Sequence, residues 1–163
     1  MYRRILVPVD GSHPAQLREA FHLAAAAGAE LLLLYVAEDD PTASGGATDR
    51  RAGTRGRFRL GYEVLADALV SARRLGLAAD AAVIGRARQT TGEAIVAEAR
   101  RWGSDLIVLG THGGRARGHG LEGNIVAEVI GDAPSPVLVV RAAGRPSTGA
   151  PTEVAASATP TAP

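Results

Sequence analysis

The stretch Arg3 to Val9 holds Ile5, Leu6, Val7 and Val9 in a nearly continuous apolar run, with no polar residue alternating among them. A strand with one wet face is apolar at every second position, so an unbroken run is the pattern of a strand buried on both faces. Similar runs recur at Glu30 to Val36 (ELLLLYV), Asp105 to Leu109 (DLIVL) and Val137 to Arg141 (VLVVR), and a further strand is expected at Ala79 to Gly85.

Helical signals lie between these runs. Ser12 is the expected N-cap of a helix from His13 to Ala27, with Pro14 tolerated in its first turn and Gly28 as its stop. Leu17, Ala20, Phe21, Ala24 and Ala27 keep one apolar face on that helix. A second helix is expected from Phe58 to Leu75, ahead of Gly76. The capping-box pair Thr90 and Glu93 opens a third, running through Trp102 with Gly103 just past its end, and a fourth covers Leu121 to Gly131. Strands alternating with helices imply a parallel sheet covered on both faces.

Two stretches show no period. Residues 38 to 57 (EDDPTASGGATDRRAGTRGR) read as a long surface loop. Residues 143 to 163 are Ala-, Pro- and Thr-rich, with almost no large apolar side chain to offset the entropy of ordering them. They are expected to form a disordered tail after a single domain spanning residues 1 to 142.

Composition narrows the function. At 163 residues, 46% of them hydrophobic, the chain can build one domain with its own core. A net charge of +1 argues against a nucleic-acid or membrane-surface binder. There is no cysteine, which excludes disulfides, thiolate metal sites and thiol nucleophiles. Every basic side chain other than histidine is arginine, so the P-loop lysine, a Schiff-base lysine and a lysine general base are all absent. The opening residues enter a strand rather than an apolar leader, and the most apolar stretch, Ala24 to Ala37, is broken by Gly28 and Glu30. The chain is read as cytoplasmic, with no membrane partner.

The residues that cannot serve a core gather at strand ends. Pro8-Val9-Asp10-Gly11-Ser12 follows the first strand, Gly110-Thr111-His112-Gly113 the fourth, and Gly123-Asn124 opens the last helix. Between Asp105 and Asn124 stand six glycines, two arginines and two histidines. A bound phosphate needs converging backbone N–H donors, close approach without a Cβ, and the positive end of a helix. This segment supplies all three, with Arg115, Arg117 and His119 as nearby cations, and reads as an anion cradle; the alternative is a merely flexible connection. It is neither a Rossmann fingerprint, which would follow the first strand, nor a P-loop, which needs the lysine.

Asp10, at a strand's carboxyl end, is read as a ligand for ribose or for a phosphate-bound divalent ion in preference to a turn cap. His112 and His119 lack a third ligand nearby in sequence, and no metal site is assigned to them. The arginines at 50, 51, 55, 57 and 59 have no interleaved aromatic residue, which argues for a solvated charge run and against nucleic acid. Trp102 and Tyr35 are expected to pack, and Tyr62 to lie on the second helix. Ser12 lacks the surroundings of a nucleophile elbow, so no catalytic residue is assigned.

Three segments in order, RRILVPVDGS, DLIVLGTHG and APSPVLVVR, resemble the universal stress protein family across residues 2 to 141. The nucleotide-binding branch of that family carries Gly-x2-Gly-x9-Gly-(Ser/Thr). Gly110, Gly113 and Gly123 have this spacing, and Asn124 stands where the hydroxyl residue is usual. The resemblance implies an open five-stranded parallel sheet in the order 3-2-1-4-5 with helices on both faces, of the adenine nucleotide alpha hydrolase-like kind. It also implies a homodimer paired through the fifth strands.

By the same resemblance the ligand is ATP, with Mg²⁺ or Mn²⁺ on its phosphates. Adenine and ribose would lie near Pro8, Val9, Asp10 and the Val36 backbone, with Leu109, Gly110 and Gly113 flanking ribose and phosphates. Gly123, Asn124 and Ile125 would hold the phosphates from the helix start. The Asn124 amide can still donate a hydrogen bond, although it is bulkier than a hydroxyl. The implied function is a nucleotide-dependent stress sensor or regulator that answers to an unidentified protein partner. With no lysine or evident general base, at most slow ATP hydrolysis is expected. The alternative is a dimeric interaction module of the same fold that binds no nucleotide.

Overall fold

The apolar runs all become strands, and the stretches between them become helices. The computed structural model describes residues 1–37, 47–86, 88–111 and 122–141. In chain order the elements are β1 (Arg4–Pro8), α1 (Pro14–Ala27), β2 (Glu30–Ala37), α2 (Ala47–Arg74) and β3 (Ala79–Gly85), followed by α3 (Thr91–Trp102), β4 (Leu106–Thr111), α4 (Glu122–Asp132) and β5 (Val137–Arg141). The five strands are parallel and ordered β3-β2-β1-β4-β5, as the resemblance implies.

Two-sided burial divides the strands by parity. Ile5, Val7, Leu31, Leu33, Leu106 and Val108 face Ala20, Phe21 and Ala24 of α1 and Leu65, Ala68 and Ala72 of α2. Their neighbours Leu6, Leu32, Leu34, Ile107 and Leu109 face Ile95, Val96 and Ala99 of α3 and Val129 of α4. Ile5, Leu6, Leu33, Leu34 and Ile107 are wholly buried. Burying a side chain of this size contributes about 1.5–3 kcal/mol, so an unbroken apolar strand gains from both layers at once.

The third helix begins and ends as its sequence predicts. Thr90 Oγ1 accepts from the Glu93 N–H at 3.1 Å, and Glu93 Oε2 accepts from the Thr90 N–H at 2.8 Å. Gly103 ends the helix in the left-handed region with φ 71°. Thr90 Oγ1 also donates to Glu128 Oε2 of α4 at 2.8 Å, and Arg100 Nη2 donates to Asp132 O at 2.8 Å, so polar bonds join α3 to α4 as well as apolar contact. Trp102 is partly buried against the α3/α4 layer, with the Arg4 guanidinium 5.7 Å from its ring centroid. Tyr35 packs in the opposite layer, and Tyr62 is exposed on α2.

Several expectations need correction. The N-cap of α1 is His13, without a side-chain cap bond, rather than Ser12. The Ser12 hydroxyl is committed to Asp10 instead, at 2.6 Å. The second helix starts at Ala47 instead of Phe58, so residues 47 to 57 are helical rather than loop. Alanine and arginine are strong helix formers, but apolar periodicity reports a buried stripe and gives no signal for a polar helix. β4 continues through Gly110 and Thr111, because β5 pairs with both of them. Residues 38 to 46 and the expected tail lie outside the described residues. Among the described residues no helix is long and apolar enough to cross a membrane.

Thr90→Ala removes the cap of α3 and its bond to Glu128 together. It is expected to cost about 1–2 kcal/mol in urea unfolding, with Thr90→Ser recovering most of the loss. Equal stability of Thr90→Ala and wild type would show that the cap does not hold α3.

Candidate functional site

Strand order reverses between β1 and β4: the chain leaves β1 toward β2 on one side, and β4 lies on the other. In open parallel sheets ligands bind outside the carboxyl ends of strands at such a reversal. The ladder there pairs Ile5 with Leu106 and Leu6 with Ile107. Above it, the buried side chain of Gln16 from the first turn of α1 spans both strands. Its Nε2 donates to Pro8 O at 2.8 Å and to Val108 O at 2.7 Å.

The turn from β1 into α1 is organised around Asp10. Its Oδ1 accepts from the Ser12 N–H at 2.8 Å and its Oδ2 from the Ser12 hydroxyl at 2.6 Å. His13 Nδ1 lies 3.2 Å from Asp10 Oδ1 and 2.7 Å from Ser12 Oγ. Gly11 turns the chain at φ 85°, a conformation that side chains disfavour. Burial pushes the Asp10 carboxyl up, but hydrogen bonds from the Ser12 side chain and backbone and from His13 outweigh it. Its pKa therefore falls below the ordinary 3.8. Asp10 is thus an ionised, half-exposed carboxylate at the carboxyl end of β1.

Ser12, His13 and Asp10 are in mutual contact but do not form a hydrolase relay. In such a relay serine and carboxylate meet different nitrogens of the imidazole. Here both meet Nδ1, and the serine hydroxyl points its hydrogen at the carboxylate. The arrangement builds a turn and holds the ring still.

The His13 ring also reaches β4. A Cβ placed on Gly110 would fall 2.6 Å from His13 Cγ and 2.7 Å from Cδ2, closer than carbon atoms can pack. Gly110 is therefore required by α1, which lies on the side of the sheet toward which its side chain would point. His13, with a side chain only 9% exposed, joins the ends of β1 and β4 through Asp10 and Gly110.

Of the residues expected to form a site, Pro8 ends β1 and Val9 follows it, buried, with its N–H on Leu34 O at 2.7 Å. Val36 lies near the end of β2, partly buried in the α3/α4 layer. Leu109 is buried in β4, and Gly110 pairs with Val140 of β5. Gly123 and Asn124 fall in the first turn of α4, and Ile125 packs partly buried in the same layer as Val36. After α4 the chain re-enters the sheet at Pro136, whose carbonyl accepts from Ile107 N–H, so α4 begins at the carboxyl end of the sheet. Gly113 and Arg115, with Arg117, His112 and His119, lie outside the described residues. Among the described residues no three His, Asp or Glu side chains gather to hold a metal.

Gln16 and His13 were not expected at this site. For Gln16 a signal existed: it lies four and eight residues before the buried Ala20 and Ala24, a polar residue on an apolar face. For His13 the sequence held none, since its contact is with Gly110, far along the chain.

The fold and crevice define a doubly wound α/β protein with its candidate site at the strand reversal. The profile of the Universal stress protein family matches residues 1–141, and the chain belongs to this family. A relative from Thermus aquaticus, described as a universal stress protein in the QAH/OAS sulfhydrylase 3′ region, is 34% identical over 143 residues, covering 86% of this chain and 100% of the relative. Among solved structures, a universal stress protein family member from Burkholderia pseudomallei is 29% identical with TM-score 0.69, covering 86% of this chain and 97% of that one. A universal stress protein in complex with cAMP is 22% identical with TM-score 0.64, covering 87% and 98% of the two chains. One from Archaeoglobus fulgidus in complex with dAMP is 20% identical with TM-score 0.57, covering 85% and 97%.

Gly110→Ala is expected to destabilise by about 1–3 kcal/mol through its clash with His13. Adding His13→Ala should recover part of that loss, because the space is then free. Strict additivity in the double-mutant cycle would show that the two side chains do not meet. Asp10 gives a pH signature of known sign. A carboxyl whose folded pKa is depressed adds stability above its unfolded value and loses it as pH falls through the folded one. The stability gap between wild type and Asp10→Asn should thus shrink as pH falls below 3.8, and a constant gap would contradict the network.

Proposed function

We propose that this chain is an ATP-binding universal stress protein that works in the cytoplasm as a homodimeric, nucleotide-dependent regulator of an unidentified protein partner. The observation that carries this reading is the convergence at the strand reversal. The ionised Asp10 lies two residues past the end of β1, Gly110 is the second-last residue of β4, and α4 starts at the same carboxyl end of the sheet. A helix start offers unpaired N–H groups and the positive end of a dipole to a phosphate, and it needs no lysine. The complexes of related folds with cAMP and dAMP support an adenine nucleotide as the ligand class.

In this reading adenine and ribose lie against Pro8, Val9, Asp10 and the Val36 backbone. Leu109, Gly110 and Gly113 flank the ribose and phosphates, while Gly123, Asn124, Ile125 and Arg115 hold the phosphates. Backbone donors at the helix start do not depend on the side chain at 124, which is why Asn124 is compatible with binding. A Mg²⁺ or Mn²⁺ ion would be carried on the phosphates. The homodimer reading draws support from β5, which stands at the edge of the sheet with Val139 exposed. An apolar edge of this kind invites pairing with a second copy.

Titration calorimetry of nucleotide-stripped protein with ATP, with and without Mg²⁺, tests the reading. A Kd of roughly micromolar is expected, corresponding to about −8 kcal/mol. Gly113→Val should weaken it at least tenfold with an unchanged circular dichroism spectrum, because a branched side chain would stand where phosphate approaches. Folded wild-type protein that ignores millimolar ATP would instead assign the chain to the alternative, a dimeric interaction module without nucleotide.

A further inference from the structure

We infer that Gln16 is a positioning residue of the crevice: its side-chain amide sets the spacing of the carboxyl ends of β1 and β4, and with it the geometry that a ligand meets. The inference builds on the nucleotide reading for its functional half and on the ladder register for its structural half. Leu6 is paired with Ile107. Two residues further along a parallel ladder, position 8 would donate its N–H to Val108 O. That position is Pro8, which has no N–H. The next N–H, that of Val9, is spent on Leu34 O of β2. The strand reversal therefore leaves a missing ladder donor just below the proposed ligand.

Gln16 fills this gap. The side chain is 4% exposed, and its two amide hydrogens go one to Val108 O and one to Pro8 O. Packing alone does not call for an amide here, since Leu or Met would fill the same volume at no desolvation cost. A bridge from a third element holds two strands at a fixed separation where their own ladder bond is absent. Both bridged carbonyls adjoin proposed ligand contacts, Pro8 itself and Leu109 next to Val108. A change in their spacing would move every contact on one wall of the crevice relative to the other.

The test compares full-length wild type with Gln16→Leu, which keeps the volume, and Gln16→Glu, which keeps the shape but loses the donors. Amide hydrogen exchange and ATP titration are the two readouts. Exchange at Val9 and at Leu109 to Gly110 should accelerate at least tenfold in both variants while β3 amides keep their wild-type rates. The Kd for ATP should rise at least tenfold in protein that remains folded. Adding Pro8→Ala to Gln16→Leu restores a ladder N–H and should return exchange toward wild type; this double variant also serves where Gln16→Leu alone folds poorly. Unchanged exchange at the strand ends overturns the inference. Faster exchange with an unchanged Kd overturns its functional half, leaving Gln16 a purely structural bridge. Wild-type protein that binds no ATP defeats the nucleotide reading instead, and exchange together with the Pro8→Ala rescue then decides the role of Gln16 by itself.

Discussion

The structure depends first on the burial of β1, β2 and β4 from both sides. A strand whose alternate residues feed two separate apolar layers cannot be displaced without opening both. Ile5 belongs to one layer and Leu6 to the other, and neither touches water. Satisfying both layers requires helices above and below the sheet, and crossing helices make the strands parallel. The chain must then start in the middle and wind outward in both directions, which creates the reversal between β1 and β4. The crevice is thus a by-product of where the apolar side chains must go.

At the reversal the same logic runs in polar groups. The strands diverge in connectivity, Pro8 withdraws a donor, and the first turn of α1 is brought up against both strand ends. Gln16 supplies hydrogen bonds to the backbone, and His13 supplies contact with Gly110 and with Asp10. One helical turn therefore serves as scaffold for two strands that have no further paired positions beyond Leu6 and Ile107. The donors that lower the pKa of Asp10, Ser12 and His13, lie immediately ahead of this turn.

How much of this was legible depended on whether the signal was local. The apolar segments gave β3 and β5 to the residue and the other strands to within their ends. The edge strands β3 and β5 are only partly buried, while for β1, β2 and β4 burial on both faces leaves its pattern in the strand itself. The Thr90–Glu93 cap was legible for the same reason, as was the stop at Gly103. The polar first part of α2 was not, because a segment of polar and small residues carries no apolar period. The site divided along the same line. Asp10 and Gly110 stood out by residue type at a strand end, whereas the partners that fix them, His13 and Gln16, are meaningful only once α1 lies across β4.

Gly110 shows how a motif can serve two constraints. Its place in the Gly-x2-Gly-x9-Gly spacing suggests a backbone bared for phosphate, yet the volume its Cβ would take is filled by the His13 ring. Here the fold demands glycine before any ligand arrives. Spacing alone consequently overstates what this position says about binding, since close packing would keep it glycine in a chain that bound nothing. The nucleotide reading rests more on Asp10, a half-exposed carboxylate that orders its turn yet still faces solvent, and on a helix that starts at the same carboxyl end of the sheet.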